Sequence, residues 1–188
     1  MSFALRPPMT VDEFLAWERE QELRCEFDGF AVHALNGGTL AHSEIATNPV
    51  EAPRRTLSGT PRRAFRGEVE IPVAGRVRYP DAMVTCSPIA TASDIVPEPV
   101  VVFEVLSGST AAVDRVSKNA ECRATSSIRH HVMLGQERMA AAVFSRRGDA
   151  RLGVPLIGDM ALEPPAIGVG VPLSVPYAGL DVEVPGPD

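Results

Sequence analysis

The chain has 188 residues, 45% of them hydrophobic and 22% charged, which excludes global disorder and requires no more than one domain, residues 1–188. A net charge of −6 does not mark a general nucleic-acid binder. Cys25, Cys86 and Cys122 are odd in number and far apart, which excludes a disulfide framework or a CxxC-type zinc or redox site and leaves them as small buried residues.

Met1 to Pro8 shows no basic start followed by an apolar core, so no secretory signal is expected. The longest uncharged stretch, Pro164 to Leu180, contains Pro172, Pro176 and several glycines and is not expected to span a membrane. The expected location is the cytoplasm.

Thr10-Val11-Asp12-Glu13 is a capping box opening a helix that should run to about Gln21, with Val11, Phe14 and Leu15 at helical spacing. Arg24 to Phe27 and Phe30 to Leu35 read as two strands around the turn signal Asp28-Gly29. A helix begins at Leu40, carrying His42, Ser43 and Glu44. Pro49 and Pro53 should kink or interrupt it, since each removes a hydrogen bond and clashes with the turn before, at roughly 3 kcal/mol.

Ala64 to Val73 reads as a strand, Ala74-Gly75-Arg76 as a turn, and Val77 to Cys86 as the antiparallel return. Within the return, Pro80 cannot donate to a ladder, so Tyr79-Pro80-Asp81 marks an edge, a strand start or a bulge that would aim Asp81. Between Arg54 and Arg78 lie seven arginines against Glu68 and Glu70, so this stretch could form a local basic face for phosphates or a solvated mixed surface. Ser87 to Glu98 reads as a polar loop.

Pro99-Val100-Val101-Val102-Phe103-Glu104-Val105-Leu106-Ser107 reads as a central strand, apolar on both faces and too short for an ordinary helix. Glu104 shares a face with Val102 and Leu106, so its carboxylate should meet the core. Buried there, it needs a metal ion or a cationic side chain, because an unpaired buried charge costs several kcal/mol or takes up a proton. The alternative is a strand-end carboxylate pointing into water.

Ser107 to Thr110 offers hydroxyls for an N-cap, followed by a helix from Ala111 to about Ala124 with Asp114 and Lys118 four residues apart. Arg129 to Leu134 and Ala140 to Phe144 read as strands joined by Gln136-Glu137-Arg138, and Gly148-Asp149 turns the chain again. The proline-rich end is expected to be irregular, with a short strand or helical turn near Tyr177.

Asp81 and Glu104 fall on strands expected to be neighbours. Two converging carboxylates are hard oxygen ligands that suit Mg2+ or Mn2+ and support phosphodiester hydrolysis. Lys118 is the only lysine, which points to a need for a compact ammonium; pairing with Asp114 in solvent is the alternative. His130 and His131 are adjacent, hence on opposite strand faces, and do not read as a shared metal site. No GxSxG or P-loop pattern is present, which leaves serine-hydrolase and nucleotide-triphosphatase readings unsupported.

Tyr79-Pro80-Asp81, the Pro99 to Ser107 strand with Ser109-Thr110, and Asp114 with Lys118 resemble the Uma-type restriction endonuclease family of the PD-(D/E)XK nuclease superfamily. Cys25-Glu26-Phe27-Asp28-Gly29, Gly37-Gly38-Thr39 and His42-Ser43 resemble its N-terminal signatures, so nearly the whole chain is covered. The resemblance implies an α/β (α+β) restriction-endonuclease-like fold with a central mixed β-sheet flanked by helices. It further implies divalent-metal-dependent cleavage of DNA and a homodimer. By the same resemblance Asp81 and Glu104 are metal ligands, Glu26 and His42 are additional site residues, and Lys118 takes the role of the lysine that usually follows the glutamate by two residues. A second reading, from the net acidity and the two prolines, is an inactive nuclease-fold module that binds nucleic acid or serves as a scaffold.

Overall fold

The computed structural model describes residues 9–186, apart from residues 36, 58, 107–110, 149, 159, 167 and 169; the side chains of 52–56, 111–115 and 151 are also outside the description. The capping box is formed: Thr10 Oγ1 accepts from the Glu13 amide while Glu13 receives the Thr10 amide at 2.8 Å. This opens α1 (Val11–Glu18), which ends a turn earlier than expected because the Gln21 amide and side chain satisfy the last carbonyls, those of Glu18 and Trp17. Phe14 of α1 packs with Cys25, Phe27 and Val77 in a small apolar cluster.

Two sheets carry the fold. The first joins β1 (Cys25–Phe27), β2 (Val32–Ala34), β4 (Ile71–Val73) and β5 (Arg76–Arg78) in the order β2-β1-β5-β4. The second has the order β10-β9-β8-β7-β6-β3, from β3 (Arg63–Arg66), β6 (Ala82–Thr85), β7 (Pro99–Leu106), β8 (His130–Gly135), β9 (Ala140–Arg147) and β10 (Ala150–Ile157). Among the described strand pairs only β7–β8 is parallel, and α3 (Ala111–Ala124) makes the crossover between them. This is the expected mixed sheet. α2 (Leu40–Thr56) packs Ile45, Ala46 and Val50 on the face that presents Val101, Phe103 and Val105. The opposite face, with Met83 and Val102, meets Cys122 of α3 and Ile71 and Val73 of β4. Cys25 and Cys122 are buried as expected, but Cys86 is only half-buried.

Three expectations need correction. Of the two outcomes expected for α2, a kink or an interruption, the interruption does not occur: it is one continuous helix through Pro49 and Pro53. Each proline leaves one carbonyl four residues back without its helical partner. Burial of Ile45, Ala46, Val50 and Leu57 in the main core offsets that loss, and the Asn48 side chain ties the helix to the Pro176 carbonyl at 3.0 Å. Secondly, the two long strands expected over 64–73 and 77–86 are four short ones. The chain breaks at Gly67 and at Tyr79-Pro80-Asp81, and each half joins a different sheet. The breaks face one another: the Gly67 amide donates to the Asp81 carbonyl at 3.0 Å, and a Cβ at Gly67 would lie 3.2 Å from the Pro80 carbonyl. The expected turn at Ala74-Gly75 is present as a two-residue hairpin with both φ angles positive, 48° and 78°.

Thirdly, the irregular end contains β10, eight residues paired in full with β9. Gly153 and Pro155 obscure it in the sequence. On an edge strand Pro155 needs no donor, and Gly153 makes room for Phe144, whose ring would lie 2.9 Å from any Cβ there. The remaining strands are β11 (Ala161–Leu162) and β12 (Val171–Pro172), paired together before a turn that buries Tyr177. The Ser107–Thr110 N-cap and the Asp114 side chain lie outside the described residues. Among the described residues no helix is long and apolar enough to cross a membrane.

Candidate active site

β7 lies in the interior of the six-stranded sheet, so Glu104 is buried, 8% exposed, and the solvent-facing alternative is set aside. β6 pairs antiparallel with β7 through Ala82↔Phe103. One residue further, where the proline has released the ladder, Asp81 stands at the position opposite Glu104, and cross-strand neighbours share a face. Its Oδ2 accepts the Val105 amide at 2.7 Å, so the loop carboxylate is clamped to the strand that carries the other acid.

Around this pair the structure assembles every other side chain expected at the site. From α3, Lys118 Nζ donates to Glu104 Oε2 at 3.1 Å and lies 3.7 Å from Glu26 Oε1. From the start of α2, His42 Nε2 lies 3.5 Å from Asp81 Oδ1. Glu26 of β1 is buried, its Oε1 accepting the Tyr79 amide at 3.1 Å. All five line one cavity of about 1050 Å3. The adjacent histidines are elsewhere and face opposite ways: His130 Nδ1 lies 3.0 Å from Ser145 Oγ, and His131 Nδ1 3.5 Å from Asn119 Oδ1.

Two site residues escaped the sequence reading. Arg78 donates to Glu121 through two bonds of 2.7 Å and to Glu26 Oε2 at 3.1 Å, making a buried Glu-Arg-Glu triad beside Lys118. The signals were available: Arg78 stands three residues before Asp81, and Glu121 lies three after Lys118, on the same helix face. This triad takes Arg78 out of any basic face over 54–78. Arg78 turns inward, and Arg76 donates to the Asp28 carbonyl at 2.7 Å and lies 3.5 Å from Glu121. The side chains of Arg54 and Arg55 lie outside the described residues.

The electrostatics report a shortage of positive charge. Burial is the main force pushing the Glu104 carboxyl up to about 8, and the charges of Asp81 and Glu26 add to it while Lys118 opposes them. Burial also raises the Asp81 carboxyl, against His42, the Val105 amide and Lys118, with Glu26 raising it further. Facing carboxylates that one ammonium does not neutralise suit a hard divalent cation. Among the described residues no three His, Cys, Asp or Glu side chains form a ready cage. Mg2+ does not require one, since it binds through one or two carboxylates with waters and phosphate oxygens. The donor set fits such an ion.

Comparison with known proteins gives the fold and the family. An uncharacterized protein of Synechocystis sp., slr1290, is 26% identical over 178 residues, covering 93% of this chain and 94% of its own length. A crystal structure described as that of a putative nuclease belonging to DUF820, from Anabaena variabilis, superposes with a TM-score of 0.72 at 17% identity. The match covers 91% of this chain and 98% of that one, and shows a shared fold. The family model Uma2, described as "Putative restriction endonuclease", matches residues 11–176. The match spans the central mixed sheet and the helices on it, and the chain belongs to the Uma2 family.

Proposed function

We propose that this protein is a divalent-metal-dependent endonuclease that hydrolyses DNA phosphodiester bonds as a single-domain homodimer in the cytoplasm. One observation carries the reading: Asp81 and Glu104, facing each other at the open end of β6 and β7, share a cavity with Lys118 3.1 Å from Glu104. Asp81 and Glu104 would hold Mg2+ or Mn2+. The ion, when bound, supplies Lewis acidity and positive charge opposite the phosphate.

The chain's own residues do the remaining work. The Val105 amide fixes the orientation of Asp81. Lys118, held between Glu104 and Glu26, presents an ammonium to the attacking water or to charge developing on the phosphate. His42 stands beside Asp81, where it can steady that carboxylate or exchange a proton with solvent. The scaffold alternative loses one of its two motives, because the prolines do not interrupt α2.

The test is cleavage of plasmid and linear DNA with Mg2+ or Mn2+. Asp81→Ala and Glu104→Ala are expected to abolish cleavage while leaving circular dichroism unchanged. Full activity in either variant, or no Mn2+ binding by the wild type at millimolar concentration, overturns the proposal.

A further inference from the structure

The cavity that holds the carboxylates is poorly equipped to grip a polyanion. Among the described residues its two arginines are engaged with carboxylates or a carbonyl, Lys118 lies against Glu104 and Glu26, and the chain as a whole carries −6. Charge attraction to the DNA backbone, which dominates most nucleic-acid affinity, is therefore weak. At its rim the cavity offers a different grip. Phe30 lines it and is 82% exposed.

Phe30 does not sit on a loose tip. Asp28 Oδ1 accepts both the Phe30 and Ala31 amides, at 2.8 and 2.7 Å, and Asp28 Oδ2 lies 2.9 Å from His33 Nε2. The Asp28 carbonyl accepts from Arg76, which anchors the turn to β5. An aromatic ring carried on an anchored backbone and exposed to water at the mouth of a phosphodiester site matches a stacking platform. Stacking on an aromatic ring needs an unstacked base, is sequence-tolerant, and does not depend on counterion release.

We infer that Phe30 stacks on an unpaired nucleobase of the strand whose phosphate enters between Asp81 and Glu104, so that the preferred substrate is DNA with a single-stranded segment. This inference rests on the nuclease reading and names its substrate class. A second copy of the chain is the competing occupant of the rim, but a copy seated there would close the mouth that the substrate must enter.

The test uses the full chain with Ca2+ in place of Mg2+ and two fluorescent probes: a single-stranded oligonucleotide and a blunt duplex of the same sequence, each checked intact afterwards. Phe30→Ala is expected to weaken single-strand binding about 5- to 100-fold, the loss of one stacked base, and to leave duplex binding nearly unchanged. The loss should persist when salt is raised. Phe30→Trp should retain affinity, and its added indole emission should be quenched by the single strand. Wild-type affinity in Phe30→Ala, unquenched Phe30→Trp, or a dimer that becomes a monomer in Phe30→Ala with DNA affinity unchanged overturns the inference and leaves the nuclease reading standing. Failure of the wild type to bind either probe overturns both.

Discussion

Lys118 Nζ lies 3.1 Å from Glu104 Oε2, so the chain's one lysine reaches from α3 to the acid buried in the central strand. Lys118→Ala removes it and leaves Glu104 facing Asp81 and Glu26 with no cation in contact among the described residues. The expected result is loss of cleavage by about 100- to 1000-fold, the range for deleting one preorganised electrostatic group. Lys118→Arg should not restore full rate, because a planar fork does not occupy the place of a compact ammonium. Single-turnover rates on a DNA substrate check both.

The raised Glu104 carboxyl makes stability depend on pH and metal together. Its ordinary value is 4.5 and its folded value about 8, so between these the folded chain holds more protons at this site than the unfolded chain does. Stability then falls as pH rises through that window. A divalent cation favours the ionised carboxylate and should reverse the trend. Thermal unfolding of the metal-free protein is expected to shift down from pH 5 to pH 8, and the stabilisation by Mn2+ to be larger at pH 8. Glu104→Gln should flatten the contribution of this residue in both series.

Arg78 holds Glu26 and Glu121 in a buried triad, so its removal takes the shortest cationic contacts from both buried carboxylates and leaves Glu121 only Arg76 at 3.5 Å and Glu26 only Lys118 at 3.7 Å among the described residues. Breaking a buried ion pair by deleting one partner typically costs about 3–5 kcal/mol. Arg78→Met is expected to lose stability on that scale in urea unfolding, well beyond the effect of substituting an exposed arginine such as Arg66.

Gly67 lets the chain pass close beneath the segment that aims Asp81. A Cβ there would sit 3.2 Å from the Pro80 carbonyl and 3.6 Å from Asp81 Cα. Gly67→Ala therefore forces the backbone next to one of the two facing acids to move. Overpacking of this kind costs about 1–3 kcal/mol. The added signature is weaker Mn2+ binding by calorimetry, which Gly59→Ala, with nothing within 4 Å of its Cβ, should not share.

Local rules made much of this protein legible before any coordinates. Thr10 and Glu13 announce a helix start because their bonds span three residues, and Pro99 to Leu106 announces a buried strand because both faces are apolar. Glu104 stood out as an acid where no lone acid belongs, and with Asp81, Glu26, His42 and Lys118 it does line one cavity. Tertiary packing alone decided what no local rule prices. It kept α2 continuous through two prolines, since the burial of Ile45 and Val50 depends on a sheet distant in sequence. It divided the 64–86 hairpin between two sheets, because the crossing at Gly67 and Pro80 is a contact between segments rather than a property of either. It also turned Arg78 inward to Glu121, 43 residues away, a pairing that exists only because β5 and α3 become neighbours. Periodicity, caps and turns are short-range energies written along the chain, whereas the pairing of buried charges depends on which strands and helices become neighbours.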